Sequence, residues 1–203
     1  MRRAPFPKTM HRRATSSIRV DEGLVLRPAS KPHIPEIVEA FEETWPDVIR
    51  AMPWINPDKE IRPQIEEFIG DTERKGRTGL LHHWIMIRPW DGYVIGLIGF
   101  DRVIRSDRAT LNLGYWGRSS EERHGYARRS IDAALGWLGK VGVLIVEVKV
   151  DSNNMPGFKT VLRTVRKWKG ERYVPGDSAI TVAGVRTMHE CHLIEVGPGP
   201  APL

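Results

Sequence analysis

The residues best placed to do chemistry lie around Gly125. The stretch from Ala109 to Leu138 reads ATLNLGYWGRSSEERHGYARRSIDAALGWL. Its first part, Ala109 to Trp116, alternates and is rich in strand formers. A polar loop from Gly117 to His124 follows. Then Gly125, Tyr126 and Ala127 open a helix, because Ala127, Ile131, Ala134, Leu135 and Leu138 recur on one face. The first N–H groups of a helix have no partner inside it, and its dipole places roughly half a positive charge there. Gly125 lets a ligand come close to the backbone, and Arg123, Arg128 and Arg129 add charge around it. Such a corner can hold an anion, a phosphate above all. The same spacing also describes an ordinary turn with a solvated basic face, and a lone glycine loop leaves both readings open.

Other groups with chemical potential lead less far. His82 and His83 are adjacent, so in a strand they face opposite sides. His189, Cys191 and His192 lack the spacing of a zinc site, and no metal is expected. Cys191 is the one cysteine, so no intrachain disulfide forms, which suits a reducing, cytoplasmic setting. It reads as a small core residue.

The elements that must position these groups can be read in order. Leu24 to Arg27 is a short strand. Ile34, Ile37, Val38 and Phe41 mark an amphipathic helix that ends near Trp45-Pro46, since proline disfavours a helical residue before it. A second helix after Pro57 carries Ile61, Ile65, Phe68 and Ile69. Leu81 to Arg88 and Val94 to Val103 form a hairpin around the Asp91-Gly92 turn. Ala109 to Trp116 is a third antiparallel strand. After the Gly125 helix, Leu144, Val146, Val148 and Val150 line one face of a strand, and Ile145, Glu147, Lys149 and Asp151 the other. A helix from about Pro156 to Lys167 follows, and Trp168 to Val174 and Arg186 to Val196 close as a strand pair.

With 203 residues the chain makes one domain with a single good core. Residues 1–20 read as a flexible basic arm, residues 21–196 as the domain, and residues 197–203 as a frayed Pro/Gly tail. The arm lacks the apolar segment of a secretory signal, and the apolar runs are too short to span a bilayer. A net charge of +6 favours anionic partners such as phosphorylated cofactors, acidic proteins or nucleic acid. No platform of alternating aromatic and basic residues supports nucleic-acid binding.

Leu113-Gly114-Tyr115-Trp116, the spacing from Trp116 to Gly125, and Tyr126-Ala127 together resemble the acetyl-CoA segment of GNAT acyltransferases. The RimJ/RimL branch of N-acetyltransferases is the most similar. The resemblance runs from about Leu24 to Val196 and rests on the order of several weak motifs. It implies an α/β (α+β) GNAT fold: a mixed, mostly antiparallel twisted sheet flanked by helices. It also implies that acetyl-CoA lies in a cleft between the splayed strands Ala109–Trp116 and Leu144–Val150. Within that cleft, a backbone N–H near Tyr115, Trp116 or Gly117 would bind the thioester oxygen. Arg123, His124, Gly125, Tyr126, Ala127 and Arg128 would hold the pyrophosphate, and Asn154 would touch the cofactor arm. Met52 and Trp54 would help to wall the acceptor site, although Trp54 could equally pack the helix pair.

The departures from the family pattern matter as much. Glu122 stands where Arg or Gln opens the loop, and Arg123 replaces a common glycine. Asn112 falls where a glutamate is common in this branch. Gly157 falls where a serine is common, and Val165-Arg166 where Gly-Phe is. Acyl transfer to an amine requires the phosphates held, the carbonyl polarised, the amine free of its proton and the thiolate stabilised. Glu147 and Asp101 are the candidate bases, acting through water if burial raises their pKa; a surface or cross-strand ion pair is the competing role for each. Tyr126 and Tyr173 are candidate proton donors, or packing residues.

These readings lead to an acetyl-CoA-dependent N-acetyltransferase working by direct transfer in a ternary complex. The acceptor would be a primary amine, on a protein N-terminus, an acidic protein or a small molecule, and a homodimer fits the family. The alternative is a catalytically weak or inactive GNAT-fold scaffold. Many enzymes of this kind work mainly by positioning, so missing acid and base residues do not exclude activity.

Overall fold

The computed structural model describes residues 13–103, 109–182 and 184–198. Among the described residues nine strands form one sheet: β1 (Ile18–Asp21), β2 (Leu24–Pro28), β3 (His82–Ile87), β4 (Val94–Arg102), β5 (Leu111–Gly117), β6 (Leu144–Asp151), β7 (Glu171–Arg172), β8 (Ser178–Val182) and β9 (Val185–Val196). The helices are α1 (Ile34–Glu43), α2 (Ile61–Arg77), α3 (Tyr126–Gly139) and α4 (Met155–Lys167). Strand order is β1-β2-β3-β4-β5-β6-β9-β7, and β8 pairs with β9. Every pairing is antiparallel except β5 with β6.

The apolar periodicities build both faces of this sheet. Ile34, Ile37, Val38 and Phe41 of α1 are buried with Ile65 and Ile69 of α2 against Ile85, Ile87, Leu97 and Trp116. On the opposite face Ile131, Ala134, Leu135 and Leu138 of α3 pack on Trp84, Phe100, Val146 and Val148. The strands β3 and β4 are covered on both sides, which is why they read as nearly continuous apolar runs.

Three expectations need correction. The first concerns residues 13–20, read as part of a free arm. Ile18–Asp21 is strand β1, paired with β2. Ser16 just before it accepts two indole hydrogen bonds, from Trp84 Nε1 to its carbonyl at 2.8 Å and from Trp137 Nε1 to its Oγ at 3.0 Å. Two buried indole donors in the core need acceptors, and this segment supplies them. Residues 1–12 and 199–203 lie outside the described residues. The second concerns the strand expected over Trp168–Val174, which shrinks to Glu171–Arg172. Third, β8 makes a hairpin with the start of β9, closed at Gly184 with φ of 78°. The mixed residues of Ser178–Val182 carry no clear alternation, and only pairing with β9 makes them a strand.

Candidate active site

The parallel pair β5 and β6 is joined for only two residues, Leu111 with Val146 and Asn112 with Glu147. Beyond that point the strands part. Arg118 N donates to Ile95 O at 2.7 Å and Val103 N to Thr110 O at 3.1 Å, so the even-numbered residues of β5 bond to β4. Antiparallel alternation then turns the amides of Leu113, Tyr115 and Gly117 the other way, into the gap left by β6. The fork is thus lined by backbone groups with no strand partner. By the same alternation the Trp116 amide points to β4. The Trp116 indole is buried against Phe41, ring centroids 6.2 Å apart and edge-on, so Trp116 is a packing residue of α1.

Past the end of β5 the chain reaches the corner at Gly125. Gly125 is the N-cap of α3 with φ of 73°, and an added Cβ there would meet nothing within 4 Å. Arg123, with φ of 66°, is also left-handed, a conformation costly for a side chain of this size. Together they turn the first amides of α3 outward. Arg123, His124 and Arg128 are exposed, whereas Arg129 is committed elsewhere: it pairs with Asp21 of β1 and lies 4.8 Å over the Tyr126 ring. Glu122 is exposed. Its neighbour Glu121 pairs with Arg88 at 3.0 Å, with His124 at 3.8 Å. On the other lip of the fork, Asn154 caps α4, its Oδ1 accepting from Gly157 N at 3.2 Å. A Cβ on Gly157 would stand 2.8 Å from Asn154 Nδ2, which explains the missing side chain at that position.

At the base of the fork three polar residues stand in register across three strands: Asp101 beside Asn112, and Asn112 beside Glu147. Directly paired residues share a face of the sheet. Glu147 is buried (5% exposed), with Lys149 Nζ 3.4 Å from its Oε1. The Asp101 side chain is half exposed, and His83 Nε2 lies 3.5 Å from its Oδ1. Desolvation pushes the Asp101 carboxyl up, but the His83 imidazole, by hydrogen bond and charge, outweighs it and holds the group below the usual carboxylate range. Burial therefore does not raise this pKa as the sequence reading required. The His83 ring sits where a side chain on Gly99 would clash, 1.8 Å from the nearest ring atom. It meets Phe68 edge-on at 5.3 Å, and Phe68 stacks on Trp54 at 4.7 Å. Met52 is buried, and Trp54 is 45% exposed despite its stack.

Sequence and shape agree on the family. The acetyltransferase (GNAT) domain family matches residues 23–163, more than half of the chain. The chain belongs to the GNAT acetyltransferase family. Its place there makes acetyl-CoA the acyl donor. Solved structures similar in fold include three acetyltransferases. One modifies the N-terminal serine of ribosomal protein L7/L12 in Salmonella typhimurium, with 15% identity, TM-score 0.68, and coverage of 88% of this chain and 98% of that one. Another is the ribosomal-protein-S5-alanine acetyltransferase of Vibrio fischeri, with 13% identity, TM-score 0.70, and coverage of 91% and 99%. A third is the microcin C7 self-immunity acetyltransferase MccE, solved with acetyl-CoA and AMP, with 16% identity, TM-score 0.70, and coverage of 86% and 93%. No curated protein matches the sequence.

The GNAT sheet can seat the donor: the fork offers unpaired amides, and the corner at Gly125 leaves open space over the first turn of α3. Of the residues singled out in the sequence, Tyr115, Gly117, Gly125, Tyr126, Ala127, Arg128 and Asn154 belong to the fork and its two lips. Trp116 does not face it. Tyr126 lies at the start of α3 under Arg129. Tyr173 packs beside Ala109, Cys191 and Leu193. Burial pushes the Cys191 thiol up to about 11, with the Glu147 charge adding to it, which fits a core role. The sequence reading did not find the Tyr115 hydroxyl, 3.5 Å from Gly157 O and with its pKa pushed up to about 12 by burial. Nor did it pair His83 with Asp101. The approach of α4 to β5 decides the first, and the register of β3 on β4 the second. Among the described residues no group of His, Cys, Asp and Glu forms a metal cluster, and no helix is long and apolar enough to cross a membrane.

Proposed function

We propose that this GNAT domain transfers the acetyl group of acetyl-CoA directly to a primary amine. The observation that carries the reading is the fork itself: unpaired amides on β5, a left-handed glycine corner at the start of α3 and two carboxylates flanking Asn112 at its base. Acetyl-CoA supplies an activated thioester carbonyl. One outward amide of β5, that of Tyr115 or Gly117, binds the carbonyl oxygen, where a preorganised N–H donor is worth most. The first-turn amides of α3, with Arg123 and Arg128, hold the pyrophosphate, and His124 stands beside them. Asn154 anchors the opposite lip. Asp101, held ionised by His83, and Glu147 beside Asn112 draw in the acceptor ammonium and pass its proton to water. Positioning then supplies most of the acceleration. Met52 and Trp54 wall the acceptor side.

The acceptor best supported is a protein N-terminus, since one protein of similar fold modifies an N-terminal serine and another is named for an alanine of a ribosomal protein. An amine-bearing small molecule is the next class to test. A scaffold role would require a spoiled cleft. Glu122 is exposed and keeps its hydration, so it does not force a buried carboxylate against the phosphates.

Calorimetry with acetyl-CoA and desulfo-CoA across a salt series tests the donor half. Micromolar affinity that weakens with salt is the expected result. Absence of heat at millimolar donor would overturn the reading. Mass spectrometry of N-terminal peptides and small amines, incubated with acetyl-CoA, then identifies the acceptor by its gain of one acetyl group.

A further inference from the structure

Gly114 sits in the middle of β5, an interior strand of the sheet, and yet it is partly exposed. Its partner on β4 is Gly99, and it shares a face with Asp101, Asn112 and Trp116. That is the face on which α1 and α2 pack. A Cβ added at Gly114 would nevertheless meet nothing within 4 Å. The covering ends at Trp116 along β5 and at the His83 ring over Gly99, and the sheet between them is bare over Gly114.

The fold does not ask for glycine there. Two glycines of β4 are required by packing: a Cβ would stand 2.2 Å from Trp116 O at Gly96 and 1.8 Å from the His83 ring at Gly99. Gly114 has no such neighbour, and its φ lies outside the left-handed region that favours glycine. A glycine inside a strand weakens it, so one that neither backbone nor packing requires marks a close approach by something else. The bare patch adjoins the fork. Leu113 and Tyr115, on either side of Gly114, turn their amides toward the gap left by β6, and Asp101 and Asn112 stand one pair down the ladder. An amine drawn in by Asp101 and Glu147 brings its carbon over Gly114 as it approaches a thioester in the fork.

We propose, resting on the acyl transfer argued above, that Gly114 sets the acceptor specificity. The amine-bearing carbon of a protein N-terminus lies over it, and the space left by the missing side chain admits only a small first residue. That space is one side chain wide, with the same-face neighbours Asn112 and Trp116 about 7 Å away along the strand on either side. Glycine, alanine or serine at the acceptor N-terminus fits; a long or branched residue does not. In the step itself the ammonium first gives a proton to water. The nitrogen then bonds to the carbonyl carbon as the C–S bond breaks, and its second proton ends on the CoA thiol.

Rates of thiol release from acetyl-CoA, measured on the full chain with pentapeptides that begin with serine, alanine or leucine, test it beside acetyl-CoA calorimetry and a thermal melt. The small first residues should give kcat/KM at least about tenfold above leucine. Gly114→Ala should raise the peptide KM several-fold, leave acetyl-CoA affinity unchanged, and hold Tm level or up to about 4 °C higher, since alanine suits a strand better. Gly114→Val fills the space, so transfer should vanish while acetyl-CoA still binds. Full transfer by Gly114→Val overturns the proposal, and so does a wild type indifferent to the first residue. Loss of acetyl-CoA affinity in step with the loss of rate would place the donor over Gly114 instead. A markedly lower Tm in Gly114→Ala would return the glycine to the fold. A wild type that binds acetyl-CoA and acetylates no peptide removes transfer to protein N-termini, and the role of Gly114 with it.

Discussion

Gly125 holds a backbone conformation that side chains resist, and the space above it is open. Gly125→Ala should therefore cost only about 1 kcal/mol of stability, from strain at positive φ, and leave donor binding nearly intact. Gly125→Trp fills the corner, so acetyl-CoA affinity should fall at least about tenfold while the fold persists. Calorimetry beside a thermal melt separates the two effects, and unchanged affinity in the Trp variant would remove the corner from the site. Tyr115 is the second residue to probe. Its buried hydroxyl keeps its proton throughout the physiological range, makes a long contact to Gly157 O and meets the Thr160 side chain. Tyr115→Phe should leave stability within about 1 kcal/mol, since so long a bond contributes little.

At the scale of elements, two connections hold the fork in shape. The first is the Ser16 clasp. Trp137 Nε1 donates to Ser16 Oγ, and Trp84 Nε1 to the Ser16 carbonyl. Ser16→Ala removes only the first, so a loss of about 1 kcal/mol and a Tm drop of about 2–4 °C are expected. The second is Arg118, just beyond β5. Its guanidinium is buried, donates to Val94 O at 2.7 Å, and pairs with Glu39 at 3.0 Å and Glu43 at 2.6 Å of α1. It also lies 4.3 Å over the Tyr93 ring. Arg118→Met should cost about 1.5–3 kcal/mol, because Val94 O and the two carboxylates lose a charged partner. Chemical denaturation reads that cost. A variant as stable as wild type would show that β5 and α1 need no such tie.

For the whole molecule, acid is the informative perturbation. His82 is buried between Trp84 and Trp137, and burial depresses its pKa from 6.5 to about 4, with the His83 charge acting the same way. His192 is lowered too, by burial and then by Arg172. A depressed imidazole stabilises the fold fully above its unfolded pKa. That stability is lost as pH falls through 6.5 toward 4, because the unfolded chain takes the proton first. For His82 alone the loss amounts to about 3 kcal/mol. Denaturation curves between pH 7 and pH 4 should show this decline, and His82→Gln should flatten it. A slope unchanged by that substitution would mean that other groups carry the acid sensitivity. Asp21 and Asp177, both lowered by arginine partners, act further down, below the usual carboxylate range.

The amino-acid sequence by itself determined the helices, the main strands and the glycine corner. Those depend on local periodicity, and periodicity survives without knowledge of neighbours: Ile37, Phe41, Ile65, Ile69, Ile131 and Leu135 are buried as their spacing demands. It also carried the family, through residues in β5 and the first turn of α3. It could not supply what depends on register between distant segments. That Trp116 turns to α1, that Arg129 is taken by Asp21, and that His83 meets Asp101 across Gly99 are facts of pairing. The same holds for β1, too short to announce itself, and for β8, which pairing with β9 alone makes a strand. The fork, too, exists only in three dimensions. Two good strands in the sequence give no sign of where their pairing stops, because that depends on the twist of a sheet whose other members lie far along the chain.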